Sequence, residues 1–302
     1  MTHELILVTG ATGFLGRIIC QELSIDYSIE TLSKSSGNTY RADLATDVPV
    51  FENNFRTVIH AAAKAHVIPR IGKEADEFFQ INVQGTVHLT KGLERHGKLP
   101  AQFVFISSVA VYGCDDGEMI KEDFPLLGET PYAKSKIQAE SYLEDWSKNN
   151  NIKLTILRLP LLVGQNPPGN LGKMIGWMKN GLYVGIGSGS ARKSMVLASD
   201  VARFIPVVAK LGGIYNLTDG YHPTIFELEN ALAENQKRNK LYRLPDAFLR
   251  AVAKAGDVVG DKFPVNSQKF LKLTSSLTFS DAKAREIAGW KPHSVIDNLP
   301  NL

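Results

Sequence analysis

A short apolar run at 5–8 closes on a glycine-rich turn, and from 14 to 23 apolar residues recur at helical spacing. The run predicts a buried parallel strand, and the spacing predicts a helix packed against it. The same alternation continues. Apolar runs predict strands over 27–32, 57–63, 101–108 and 152–159, and helical spacing predicts helices over 75–97 and 131–150, with Pro131 in the first turn of the latter. Strands that alternate with helices pair in parallel through crossover helices, so the expected class is α/β with a doubly wound parallel sheet. After Pro160 the rhythm changes. Residues 164–170 read as a loop, a more irregular segment follows, 213–218 reads as a strand, and helical stretches come after it. The expected division is therefore 1–163 and a smaller C-terminal lobe over 164–302, with some elements of the lobe returning to the first domain. No internal repeat, low-complexity tract or long linker interrupts this pattern.

Composition narrows the function classes. Apolar residues make up 44% of the 302 and charged residues 22%, which suits a globular protein with a well-buried core. Net charge is +3 with Lys and Arg scattered among acids, which argues against a nucleic-acid partner. Two cysteines, Cys20 and Cys114, argue against a disulfide scaffold or a Cys-ligated zinc site and favour a reducing compartment. The first apolar run is too short for a signal-peptide core, and no window approaches the roughly 20 apolar residues of a membrane span. A cytoplasmic protein without a membrane span is expected. No metal is expected either, because His60 and His66 lie without a carboxylate cluster. Gly187-Ser188-Gly189 lacks the strand–turn–helix setting of a serine-hydrolase elbow and reads as a loop.

Three local patterns carry chemistry. Gly10, Gly13 and Gly16 fall between the first strand and the first helix. Glycines there allow a tight turn, bring backbone N–H groups to a pyrophosphate and seat the helix close to the sheet with its positive end toward the phosphates. This is the mark of a Rossmann dinucleotide site, with Thr12, Phe14 and Leu15 in the same turn expected beside the cofactor. A site that prefers NAD places Asp or Glu at the tip of the second strand. Here the tip reads Ser33, Lys34, Ser35, and Glu30 lies earlier, inside the strand. A hydroxyl and an ammonium suit a 2′-phosphate, and Arg17 could add a guanidinium, so NADP(H) is expected, with NAD(H) the alternative. Third, Tyr132 and Lys136 are spaced to share one helix face. An ammonium beside a phenol lowers its pKa from about 10 and makes it a usable acid/base. Ser108 falls just past a strand end, at the carboxyl edge where such sheets bind ligands.

Taken in order, these residues resemble the extended short-chain dehydrogenase/reductase family, and within it the nucleotide-sugar epimerases and reductases of bacterial surface-polysaccharide synthesis. The resemblance runs nearly end to end. It rests on Gly10/Gly13/Gly16, Asp43-Leu44, 60–63, Asn82, Ser108 with 111–113, Tyr132/Lys136, Arg158 with Pro160, Asp200, 215–220 and 288–292. It implies that Asp43 and Leu44 contact the adenine, and that Ala61, Ala62 and Ala63 line the path to the nicotinamide. It further implies that Asn82 orders backbone near the lysine, and that Ser108, Tyr132 and Lys136 form the catalytic triad. Asn170, with Arg192 or Lys193, falls where the family grips a nucleotide diphosphate. Family 4,6-dehydratases carry an acidic pair straight after the serine; Val109-Ala110 here argues against dehydration. The expected reaction is reduction of the 4-keto group of a UDP-linked 6-deoxy-N-acetylhexosamine by NADPH, with Tyr132 as proton donor. The alternative is an NAD-dependent UDP-sugar 4-epimerase of the UDP-glucose or UDP-N-acetylglucosamine type. A non-catalytic cofactor sensor is a minor one, since such relatives typically lose the Tyr or the Lys. Two departures touch the substrate pocket: Val163 replaces a tyrosine that commonly follows Pro160, and Leu197 replaces an aromatic or His before Asp200. Relatives suggest a homodimer built on the helices that carry 74–84 and 132–140.

Overall fold

Strand β1 (Leu5–Thr9) sends Ile6 and Val8 to one face and Leu7 to the other, and all three are buried. A strand buried on both faces must be covered twice, and the layers follow from that. Helix α1 (Phe14–Leu23) packs over the Ile6/Val8 side, and β2 (Ser28–Ser33) and β3 (Tyr40–Arg41) extend the sheet to one edge. On the other side of β1 stand β4 (Thr57–His60) and, beyond a helical crossover, β5 (Gln102–Ser108). That crossover begins as α2 (Gly72–Phe79) and ends as α3 (Gly85–His96). Between them Gln80–Gln84 forms a π-helical turn, so the helix expected over 75–97 is broken in register at Asn82. The short β6 (Gly117–Ile120), α4 (Pro131–Asn149) and β7 (Lys153–Leu159) follow. The computed structural model describes residues 4–65, 72–237 and 241–299, the last span without 246, 249, 251–252, 255–256 and 258–266; His66 lies outside it.

After β7 come β8 (Leu161–Val163), α5 (Gly169–Lys179), β9 (Gly185–Ile186), β10 (Met195–Leu197), α6 (Ala198–Ala209), β11 (Gly213–Asn216), α7 (Ile225–Asn235), β12 (Arg243–Leu244) and β13 (Leu277–Phe279). The main sheet runs β11-β7-β5-β4-β1-β2-β3, and every pairing in it is parallel. It is an α/β doubly wound sheet of Rossmann type. Strand order reverses between β1 and β4, and ligands bind at the carboxyl ends of strands beside such a switch point. Helices α1 and α6 cover one face together with Trp290, while α3 and α4 cover the other through Leu89, Leu93, Ala139 and Leu143. The later half of the chain also reaches back. β11 supplies the sheet edge and β13 pairs with β6. Val163 and Leu197, the two departures, are cross-strand partners in the parallel β8–β10 pair and are buried together in the apolar core beneath α5 and α7. Among the described residues, no helix is long and apolar enough to cross a membrane.

Candidate active site

The glycine turn is built by close approach. Gly10 has φ +71°, and a Cβ there would lie 2.6 Å from the backbone N of Ala62. A Cβ on Gly16 would lie 2.1 Å from the carbonyl oxygen of Gly10, so α1 meets the turn at a distance that only glycine permits. The Gly10 N–H donates to the Leu32 carbonyl at 3.1 Å, which ties the turn to the tip of β2. Helix α1 begins at Gly13 with no side-chain cap and no acid in its first turn, leaving N–H donors and a positive dipole end for an anion.

Two cavities meet over this turn, and Gly10, Gly13, Ala61 and Ala63 border both. One, of about 360 Å³, runs toward β2 and β3, lined by Thr12, Ser33, Lys34, Asp43, Leu44 and Ala62. Asp43 shapes its wall, since its carboxylate accepts from the Ala45 N–H at 3.1 Å. At the β2 tip, Ser33 Oγ lies 3.2 Å from both Thr12 Oγ1 and Ser35 Oγ. Arg41, the register partner of Ser33, donates from Nε to the Lys34 carbonyl at 3.3 Å. Glu30 is held away from the tip by Tyr40 and Asn53, whose donors stand 2.7 Å from its carboxylate. Arg17 is exposed on α1 and lines neither cavity.

The other cavity, of about 510 Å³, gathers Ser108, Tyr132 and Lys136 with Phe14, Leu15 and Pro160. Each side chain is placed by a distinct local device. Ser108 ends β5, and its Oγ accepts from the Ala110 N–H at 3.2 Å. Thr130 caps α4 by accepting from the Ala133 N–H at 3.1 Å, and Pro131 starts the helix, which sets Tyr132 and Lys136 one turn apart on the sheet-facing side. Asn82, fully buried in the π turn, accepts from the Lys64 N–H at 2.8 Å and donates to Ser135 Oγ at 2.9 Å, locking α4 to the end of β4. Phe78 packs edge-on against Tyr132 at 6.1 Å between centroids.

Electrostatics differ from the expectation in one respect. Lys136 donates to the Ile106 carbonyl at 2.7 Å and stands 4.5 Å above the Phe105 ring. Its charge is directed at β5, and burial pulls its pKa down to about 7, with Glu140 opposing. Tyr132 is not activated by the lysine as expected. Burial raises the phenol above its ordinary value, and only a hydrogen bond with Ser108 works against that. His60 lies behind this pair, held by Thr9 at 2.6 Å and Thr86 at 2.9 Å. Burial, aided by Lys136, holds it near 3 and therefore neutral.

A buried network that sequence reasoning missed lies under the cavity. Arg158 Nη2 donates to Glu140 Oε2 at 2.8 Å, and Glu140 also accepts from Ser107. Arg158 Nη1 donates to Tyr112 Oη at 3.2 Å and to the Glu122 carbonyl at 2.9 Å. Spacing held the signal, because Glu140 falls one helical turn beyond Lys136 on the face already occupied by Tyr132. Asn170 is exposed in the first turn of α5, close after Pro168, which lines the cavity. Arg192 and Lys193 do not line it; their backbones form isolated bridges, Arg192 with Thr224 and Lys193 with Leu277, and Arg192 Nη1 donates to the His222 carbonyl at 3.0 Å.

Residues 6–218 match the NAD dependent epimerase/dehydratase family. An N-acetyl-alpha-D-glucosaminyl-diphospho-ditrans,octacis-undecaprenol 4-epimerase of Escherichia coli O157:H7 is 26% identical over 98% of this chain and 93% of its own length. A UDP-glucose 4-epimerase of Vibrio cholerae is 26% identical over 95% and 90%. In fold, the chain is similar to a UDP-glucose 4-epimerase of Thermotoga maritima solved with UDP-glucose, at TM-score 0.75 and 21% identity over 98% of this chain and 96% of that one. It is also similar to RMD from Pseudomonas aeruginosa complexed with NADPH, at TM-score 0.71 and 22% identity over 98% and 96%.

Proposed function

Because this chain belongs to the NAD-dependent epimerase/dehydratase family, we propose that it is an oxidoreductase acting at C4 of a UDP-linked 6-deoxy-N-acetylhexosamine, with NADP(H) preferred. The observation that carries this reading is a single cavity that joins the glycine turn to Ser108, Tyr132 and Lys136. The fit to a dinucleotide rests on the uncapped start of α1 and on the two cavities that share the glycine turn. When bound, the dinucleotide supplies the hydride. Tyr132 donates its phenolic proton to the developing C4 oxygen, and its raised pKa keeps that proton in place at neutral pH. Ser108 positions the same oxygen, and Lys136 holds a ribose hydroxyl. Val109 and Ala110 offer no acid or base for a dehydration step. Residues after 163 form the substrate lobe, with β11 and α6 returned to the sheet, and Asn170 is the contact to the sugar nucleotide's diphosphate. The protein acts in the cytoplasm as a homodimer formed through the helices that carry 74–84 and 132–140.

NADP(H) preference is supported by a β2 tip that carries Ser33 and Lys34 beside Arg41, with Glu30 held in other bonds. Lys34→Ala is expected to lower the NADPH-over-NADH affinity ratio about tenfold, the loss of one charged hydrogen bond. Ser33→Asp is expected to invert the ratio. Titration of nucleotide fluorescence reads both, and an unchanged ratio overturns the 2′-phosphate assignment. The pH profile follows from Lys136. Its charged form is present below about 7 and lost above it, so kcat/KM for ketone reduction is expected to fall as pH rises through about 7. A flat profile from 6 to 9, on roughly the scale of that shift, would refute a role for the ammonium.

The names of the relatives favour a second reading, an NAD-dependent 4-epimerase. One experiment separates the two. The nucleotide that copurifies is identified, and NADPH absorbance is followed with a 4-keto sugar nucleotide. Exchangeable NADP and net oxidation of NADPH establish the reductase; tightly held NAD and sugar inversion without net consumption establish the epimerase.

A further inference from the structure

His60 takes no step in the reaction proposed above, yet it is 1% exposed and both its ring nitrogens are bonded. It ends β4, level with Thr9 at the end of β1 in the parallel register. Its ring packs against Phe103 and Phe105, at 6.2 and 5.7 Å between centroids. A polar ring among aromatics costs free energy unless its nitrogens find partners. A phenyl ring would fill the same space without partners, so the two nitrogens are what calls for a reason.

Their bonds run in one consistent direction. Thr86 Oγ1 stands 2.7 Å from the Asn82 carbonyl, which can only accept, so the Thr86 hydroxyl proton is committed there. Thr86 Oγ1 must then accept from His60 Nε2, at 2.9 Å. A neutral ring protonated at Nε2 leaves Nδ1 to accept, and Thr9 Oγ1 donates to it at 2.6 Å. Thr9 Oγ1 in turn accepts from the Ala62 N–H at 3.3 Å. Both ends of this chain touch the site. The Ala62 backbone is the one that lies against Gly10 in the glycine turn. At the other end, the Asn82 side chain donates to Ser135 Oγ at 2.9 Å, and Ser135 Oγ donates to the Tyr132 carbonyl at 2.8 Å. We infer that His60 is a positioning residue, whose Nδ1 sets the glycine turn and whose Nε2 sets the helix turn of Tyr132, so that cofactor turn and proton donor are held in one frame. The inference rests on the reaction proposed above.

Two substitutions split the ring's two bonds. Asn places Oδ1 where Nδ1 stands and keeps the bond from Thr9; Gln places an amide nitrogen where Nε2 stands and keeps the bond to Thr86. His60→Asn is expected to lower the single-turnover hydride rate about tenfold, with NADPH affinity within about twofold of the parent. His60→Gln is expected to lower NADPH affinity about tenfold, with less than about threefold loss of rate. Each is the effect of one buried hydrogen bond left unmade. A packing role alone would lower rate and affinity in the same proportion in both variants. Nitrogen-15 NMR of the unsubstituted full chain without nucleotide is a readout that needs no variant to fold. His60 is expected to carry its proton on Nε2 and not to titrate between about pH 5 and 9. A proton on Nδ1, a ring that titrates in that range, or variants that change rate and affinity in equal proportion overturns the inference. Tyr132→Phe separates this from failure of the reaction itself. If Tyr132→Phe turns over like the parent, the reaction falls and the inference with it; if Tyr132→Phe is slowed while both His60 variants match the parent, only the role of His60 falls.

Discussion

Tyr132→Phe is expected to lower kcat about 10³-fold, while the affinity for the dinucleotide stays within about twofold of the parent. The substitution removes one oxygen and keeps the ring, so packing against Phe78 and the start of α4 at Thr130 and Pro131 survive. What is lost is the proton that burial holds on the phenol and the hydrogen bond with Ser108. Ser108→Ala keeps the proton donor and loses only the positioning bond, so its effect is expected to be smaller, about 10²-fold. Rapid mixing of enzyme, NADPH and a 4-keto sugar nucleotide measures the hydride step directly, and nucleotide titration measures the affinity. A Tyr132→Phe enzyme with the parent's single-turnover rate removes Tyr132 from the chemistry.

The largest effect on stability is expected at Arg158. It and Glu140 are 3% and 2% exposed, and each has a further buried partner, Tyr112 for Arg158 and Ser107 for Glu140. Arg158→Met keeps most of the volume but leaves a buried carboxylate with only Ser107 to meet it, at a cost of about 3–5 kcal/mol. For a chain of this size that lowers the melting temperature by about 10 °C. Adding Glu140→Gln to Arg158→Met removes the stranded charge and should recover more than half of the loss. Urea unfolding of the parent, both single variants and the double variant gives the coupling. If the double variant is no more stable than Arg158→Met, the pair is not the source of the loss. Glu140→Gln also bears on the chemistry, because Glu140 is the group that opposes the downward shift of Lys136. Without it, the pH limb near 7 should move to lower pH.

The features readable from sequence share one property: each depends on residues within a turn or two of one another. Gly10, Gly13 and Gly16 announce a strand–helix junction because only glycine permits the approach of α1 to the turn. Tyr132 and Lys136 announce a shared face because helical spacing alone puts them there. Apolar alternation through residue 159 determines the parallel sheet, since strands buried on both faces must be crossed by helices. Boundaries were legible to within a residue or two at α1, β5, α4 and β7, where Gly, Pro and Thr punctuation is strong. The π turn at Asn82 was not, since its cause is a set of hydrogen bonds to Lys64 and Ser135 that sequence distance conceals.

Local pattern in the amino-acid sequence therefore determined the fold class, the glycine turn and the shared helix face of Tyr132 and Lys136. Tertiary structure alone decided the charge states and the company each residue keeps. It turned Lys136 toward the Ile106 carbonyl, raised the Tyr132 phenol, and set the backbones of Arg192 and Lys193 in bridges to Thr224 and Leu277. It brought Arg41 beside Lys34 and closed Arg158 on Glu140. The reason is physical. Periodicity reports which face a residue occupies, but a pKa or an ion pair depends on burial and on neighbours that chain closure brings together from far along the sequence.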